Sequence, residues 1–231
     1  FSEFMRKLKE HITPNERILS FARNNYTQEH PISSRFQSGS RLPTQSLFEF
    51  LDKDVDYIHK NINSQETNPK LFYKGYFNDW DPILKNLDVK RKITEDIISE
   101  IFLIEEEDRM NKQELFLVHG NAGSGKTVLI YRLAFEAGAN FDKLCLVYKS
   151  DSSIDYNRLQ EISELTGERI YLFVERLHER IEEIKFVINK CKKDNVPITI
   201  IGTERTNIWN TLCSELLPFI TREYSLKYLD D

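Results

Sequence analysis

The chain has 231 residues, 40% of them hydrophobic and 12% aromatic, and a formal net charge of −5. That length holds one α/β domain with an appendage or two small domains, and the apolar share is enough for a true core. The acidic balance argues against a dedicated nucleic-acid surface, and with no bilayer-length apolar run and no signal peptide the expected location is the cytoplasm.

Residues 2–11 read as a short amphipathic helix with Phe4, Met5 and Leu8 on one side, and residues 15–23 as a further turn or two. Residues 24–45 shift to Asn, Gln, Ser, Pro and Arg and read as a linker. Residues 47–60 read as helix, because Leu47, Phe48, Phe50, Leu51, Val55 and Ile58 form one broad stripe. A second polar break covers 61–69. The run 71–80 is rich in aromatics, which either dock a domain edge or face a ligand. A helix starts at Asp81-Pro82, and another is expected over 88–106 with Ile93, Ile97, Ile98, Ile101 and Leu103 inward.

Strands and helices then alternate. Strands are predicted at 115–119, 144–148, 169–174, 198–202 and about 223–226. Between them lie a helix ending near Gly138 as a left-handed cap, one capped by Ser152 or Ser153 and closed by Gly167, one over 178–193, and one over 207–217. Four apolar runs separated by helices indicate a parallel sheet covered on both faces. The three cysteines, Cys145, Cys191 and Cys213, are too few and too scattered for a disulfide framework or a zinc site and read as buried free thiols.

The first of these strands runs into Gly120, Asn121, Ala122, Gly123, Ser124, Gly125, Lys126 and Thr127, followed by Val128 and a helical apolar face. This is the G-x-x-x-x-G-K-[ST] pattern. Glycines let successive N–H groups curl towards phosphate oxygens, and the helix that follows presents its positive end to the same anion. Lys126 is expected to reach the β- and γ-phosphates and the Thr127 hydroxyl to sit on Mg²⁺. The strand ending at Val174 is followed by Glu175, whose carboxylate is the second candidate metal ligand. The next residue is Arg176, where many such ATPases place a second acid that activates water. The alternative is that Glu175 is an ordinary surface glutamate. The strand ending at Gly202 leads into Thr203, Glu204 and Arg205. If that strand lies beside the glycine-loop strand, Arg205 points towards the γ-phosphate; otherwise it pairs with Glu175 or Glu204. Guanine specificity has no support, because Asn189-Lys190 is followed by Cys191-Lys192 and lies within a helix. His119 reads as packing.

These stretches resemble the STAND class of signal-transduction ATPases, and more narrowly the prokaryotic modules found beside effector domains such as sirtuin-like NADases in antiviral defence proteins. The resemblance rests on 75–80, 88–91, 120–127, 166–173 and 203–209. Relatives commonly carry two adjacent acids where Glu175 and Arg176 stand. It implies ATP or ADP with Mg²⁺ as ligands, a five-stranded parallel sheet in the order 5-1-4-3-2, and homo-oligomerisation of a longer protein. It also implies a C-terminal helical and winged-helix portion whose first helix Asp230-Asp231 would cap, then a repeat sensor. The division expected is a helical extension over 1–70, possible end of an upstream effector, and a P-loop NTPase domain over 71–231. Starting at Phe1, the chain reads as a fragment of that longer protein. Two other readings stay open: an autonomous P-loop enzyme such as a small-molecule kinase or DNA-linked ATPase, and a scaffold that binds nucleotide without hydrolysing it.

Overall fold

The computed structural model describes residues 30–77, 79–149 and 152–228. The helices read over 2–11 and 15–23, and the cap at Asp230-Asp231, lie outside the described residues. Six strands form one sheet: β1 (Val55–Ile58), β2 (Gln113–Gly120), β3 (Leu144–Tyr148), β4 (Ile170–Val174), β5 (Ile198–Arg205) and β6 (Ile220–Leu226), in the spatial order β1-β3-β4-β5-β2-β6. All pairs are parallel except β1 with β3. The sheet is therefore mixed and six-stranded, which corrects the expectation of five parallel strands whose order would describe the whole sheet. The parallel strands alone run β6-β2-β5-β4-β3.

The added strand comes from a stretch read as helix. A helix, α1 (Gln45–Lys53), does start there, with the Thr44 hydroxyl accepting from the Leu47 N–H at 3.2 Å. It stops at Asp54, and Val55 to Ile58 pair with Tyr148 to Cys145. Val, Tyr and Ile fit a half-buried pleat at least as well as a helix face, and the open edge of β3 decides between them. Ile32, Leu47, Phe48 and Val55 are fully buried in the same core as β3 and β4. Residues on the N-terminal side of position 70 thus contribute to the same core as the strands after it.

The helices after α1 are α2 (Pro69–Tyr73), α3 (Asp81–Leu84), α4 (Lys92–Ile97), α5 (Lys126–Phe135), α6 (Tyr156–Thr166), α7 (Ile181–Lys193) and α8 (Thr206–Leu212). Where one helix was expected over 88–106, α4 passes into a π turn at Ile98–Phe102, and Leu103 is exposed rather than inward. The last helix is shorter than expected and gives way to a 3-10 turn at Ser214–Phe219. Alternate residues of each strand feed two cores. Leu115, Leu117, Leu172 and Ile200 meet α1, α6 and α7, while Phe116, Val118, Phe173 and Ile201 meet α4 and α5. This is the both-faces burial that near-continuous apolar strands require.

Helix α6 is capped by Asp155, not Ser152 or Ser153: its carboxylate accepts from the Asn157 N–H at 2.8 Å. Gly167 closes it in the left-handed region, at φ 69°. Gly138 plays a different part from the cap expected. It sits inside a π turn over Glu136–Asn140, and a Cβ there would lie 2.8 Å from the Ile58 carbonyl oxygen. Its missing side chain lets β1 and the end of the α5 segment approach. Cys145, Cys191 and Cys213 are free and buried.

Gly138→Ala is expected to destabilise the fold by about 1–3 kcal/mol, because the obstructing atom is backbone and cannot rotate away. Thermal melting of the variant checks this; an unchanged Tm would mean that β1 is not seated against this turn.

Candidate functional site

The loop from Gly120 to Thr127 leaves the carboxyl end of β2 and enters α5. Gly125 is the N-cap at φ 86°, a left-handed conformation that L side chains adopt with strain. Gly123 shares that region at φ 75°. The loop's shape is thus set by glycine backbone, and it exposes the N–H groups of the first turn of α5.

Parallel pairing sets what surrounds the loop. Gly120 pairs with Arg205 and Val118 with Thr203 across β2 and β5, and Val174 pairs with Gly202 across β4 and β5. The carboxyl ends of three neighbouring strands therefore bring the loop, Glu175 and Arg205 to one rim. Residues Lys126, Thr127, Glu175, His178, Glu204 and Arg205 line one open cleft of about 780 Å³.

Thr127 Oγ1 donates to Glu175 Oε1 at 2.5 Å. Lys126 Nζ donates to the carbonyls of Gly120 at 2.9 Å and Asn121 at 2.8 Å. Desolvation holds the Lys126 ammonium below its usual pKa; Arg205 adds to this, and Glu204 and Glu175 oppose it. Arg205 is exposed and forms no ion pair among the described residues, so the alternative of a bridge to Glu175 or Glu204 is not what the fold adopts. Arg176 lines the same cleft: its backbone is left-handed at φ 53°, its side chain is 67% exposed, and it meets Glu179 at 3.5 Å. His119, read as packing, instead shares a hydrogen bond between Nδ1 and Thr206 Oγ1 at 3.1 Å beside the loop.

Three residues brace the loop in ways that the sequence reading did not assign. Arg91 donates to the Ser124 carbonyl at 2.8 Å and to the Lys227 carbonyl at 3.0 Å. Tyr228 Oη donates to the Ala122 carbonyl at 3.0 Å. Segments before and after the nucleus thus clasp the loop from outside. Arg132 of α5 holds both carboxylate oxygens of Asp88 and donates to the Ile83 carbonyl at 2.8 Å, fixing the chain that carries Arg91. The stretch 88–91 entered the sequence reading through the resemblance and as the start of a helix, with no signal of a loop brace; the helix in fact starts at Lys92, with Arg91 as its N-cap.

In the aromatic run 71–80 one residue docks on the sheet and others line a cleft. Trp80 is buried and donates through Nε1 to Asp56 at 3.0 Å, docking the run on β1. Phe72, Gly75 and Phe77 line the loop cleft. Phe72 and Tyr73 also line a smaller, adjoining cleft of about 230 Å³ with Leu87, Val89, Arg91 and Val128.

The profile of the Novel STAND NTPase 5 family matches residues 70–217. The chain belongs to this family. No curated protein matches it. Among solved structures, C. elegans PCH-2 is similar at 15% identity and a TM-score of 0.47, over 65% of this chain and 46% of that one. A chain of the E. coli MS115-1 HORMA:CdnC:Trip13 complex is similar at 11% identity and a TM-score of 0.42, over 78% of this chain and 72% of that one. This STAND NTPase module therefore spans about half the length of PCH-2. Family membership makes it a nucleotide-binding P-loop NTPase module, and such modules typically use Mg²⁺. The residues present fit that pair of ligands. A hydroxyl and a carboxylate already touch at the loop, and no cluster of three or more His, Cys, Asp or Glu among the described residues could hold a metal alone. That is the arrangement expected where phosphates and water complete the shell of Mg²⁺. Among the described residues no helix is long and apolar enough to cross a membrane.

Lys126→Ala is expected to abolish nucleotide binding without lowering Tm. A cation whose pKa is depressed by burial costs stability at neutral pH, and that cost fades only as pH rises through the lowered value. Removing the charge removes the cost. Calorimetric titration and melting of the same variant check both halves.

Proposed function

We propose that this STAND module is an ATP-dependent switch, in which Mg²⁺-ATP and ADP favour different states of a longer signalling protein of the antiviral-defence type. The observation that carries the reading is the convergence of Gly120, the Thr127–Glu175 pair and Arg205 on one rim. In this reading the loop N–H groups and Lys126 bind the phosphate chain. Thr127 and Glu175 hold Mg²⁺, which neutralises phosphate charge when bound. Their mutual hydrogen bond is what the cation would replace. The smaller cleft between Phe72, Val89 and Val128 is apolar enough to take the base and lies on the side of the loop away from Glu175.

Arg205 is the residue that makes a switch rather than a mere binding site. It extends from the strand beside the loop, is unpaired among the described residues, and stays charged at any physiological pH. A group that touches only the third phosphate can bias only the ATP-bound state. That bias, passed to the segments that clasp the loop, is what would set association between copies of the full-length protein, with effector and sensor portions outside this chain.

Arg205→Ala should leave ADP affinity nearly unchanged and weaken ATP binding by about 1.5–3 kcal/mol, roughly tenfold or more. Equal losses for both nucleotides would remove the sensor role. Glu175→Gln should flatten the dependence of ATP affinity on Mg²⁺ concentration, since the amide keeps the shape and loses the charge. Titrations at several Mg²⁺ levels measure it, and identical curves would return Glu175 to the surface-residue reading.

A further inference from the structure

The position after Glu175 lacks the acid that would activate water. Arg176 stands there, a guanidinium that only donates and that pairs with Glu179. Another pair of groups lines the same cleft. Glu204, at the end of β5, is 3% exposed, an unusual place for a carboxylate, and no Lys or Arg among the described residues forms an ion pair with it. Its oxygens accept from the His178 N–H at 3.0 Å, from the Arg205 N–H at 2.7 Å and from His178 Nδ1 at 2.6 Å. A carboxylate in its ionised form only accepts, so Nδ1 donates that bond, and in the neutral ring this leaves the lone pair on Nε2. The acid nearest Nε2 is Glu179, with Oε1 at 3.9 Å, too far for a hydrogen bond but close enough to stabilise an imidazolium.

We propose that His178, oriented by Glu204, is the base for hydrolysis in this site. This rests on the reading of the cleft as an ATP site. The water oxygen forms a bond to the γ-phosphorus as the bond from that phosphorus to the β–γ bridging oxygen breaks. The water proton passes to His178 Nε2 and from there to solvent, and ADP and phosphate leave. Glu204 is a positioning residue: by accepting from Nδ1 and from two backbone N–H groups it fixes the tautomer and ring plane of His178. Strand β5 thus serves the cleft twice, through Arg205 on one face and Glu204 on the other.

The test is phosphate release by the 231-residue chain with Mg²⁺-ATP, alongside binding of a fluorescent ATP analogue and a melting curve. His178→Ala should lower kcat by about 10²-fold or more with KM and analogue affinity little changed, and added imidazole should restore part of the rate. His178→Asn, which keeps a donor for Glu204, guards against loss of the fold and should be equally slow. Glu204→Gln should lower kcat and leave KM alone. Turnover at the wild-type rate in His178→Asn would overturn the proposal. So would a slow His178→Ala that imidazole does not rescue, or a Glu179→Gln variant that alone loses turnover. A wild-type chain that binds the analogue and releases no phosphate over hours would overturn it and leave the ATP site standing. A chain that binds no nucleotide would take both down.

Discussion

Everything at the site depends on the parallel pairing of β2. It is held by β5 on one edge and β6 on the other, so the point at which it gives way to glycine is fixed from both sides. Parallel register makes the carboxyl ends of β2, β4 and β5 coincide, and crevices at such ends are where open α/β sheets bind ligands. The Gly120–Arg205 and Val174–Gly202 pairings translate that rule into specific side chains on one rim.

The opposite end of the sheet is tied by charge. Glu114 of β2 is buried and accepts from Arg109 at 2.6 Å and Thr199 of β5 at 2.8 Å, while Arg169 donates to Thr199 at 3.0 Å and to Glu106 through two nitrogens. A buried ionic network of this kind adds little net stability over an apolar core, but breaking one partner leaves a buried charge uncompensated. Its effect is to penalise a slipped register between β2, β4 and β5. The rim at the other end inherits that precision: a shift of one residue would move Arg205 to the opposite face.

The residues before the P-loop are part of the machine and not a passive lead-in. Asp56 of β1 receives Trp80, Arg132 of α5 grips Asp88, and Arg91 reaches back to the Ser124 carbonyl. This chain of contacts connects the far edge of the sheet to the loop itself. Tyr228 and the Lys227 carbonyl, on the way out of β6, meet the same loop from the other side. Both flanks of the nucleus of the sheet are thereby in direct contact with the loop.

The sequence alone determined what depends on local chemistry. The glycine–lysine–threonine loop, the strand and helix about it, the acid after β4 and the burial of the cysteines follow from residue type and short-range period. So does the resemblance to the STAND class, whose NTPase family the profile match then established. The tertiary structure decided what depends on partners distant in the chain. Val55 to Ile58 carried a stripe compatible with helix, and only the unpaired edge of β3, some 90 residues on, turned them into a strand. Gly138 is a glycine because Ile58 approaches it, not because a helix ends there. Arg91, His178 and Glu204 are ordinary charged residues by sequence. Their roles exist because the fold places a carbonyl of the loop, or an imidazole and a buried carboxylate, within hydrogen-bond reach. Periodicity reports one element's own face, whereas pairing across the sheet is a property of two elements that no local window contains.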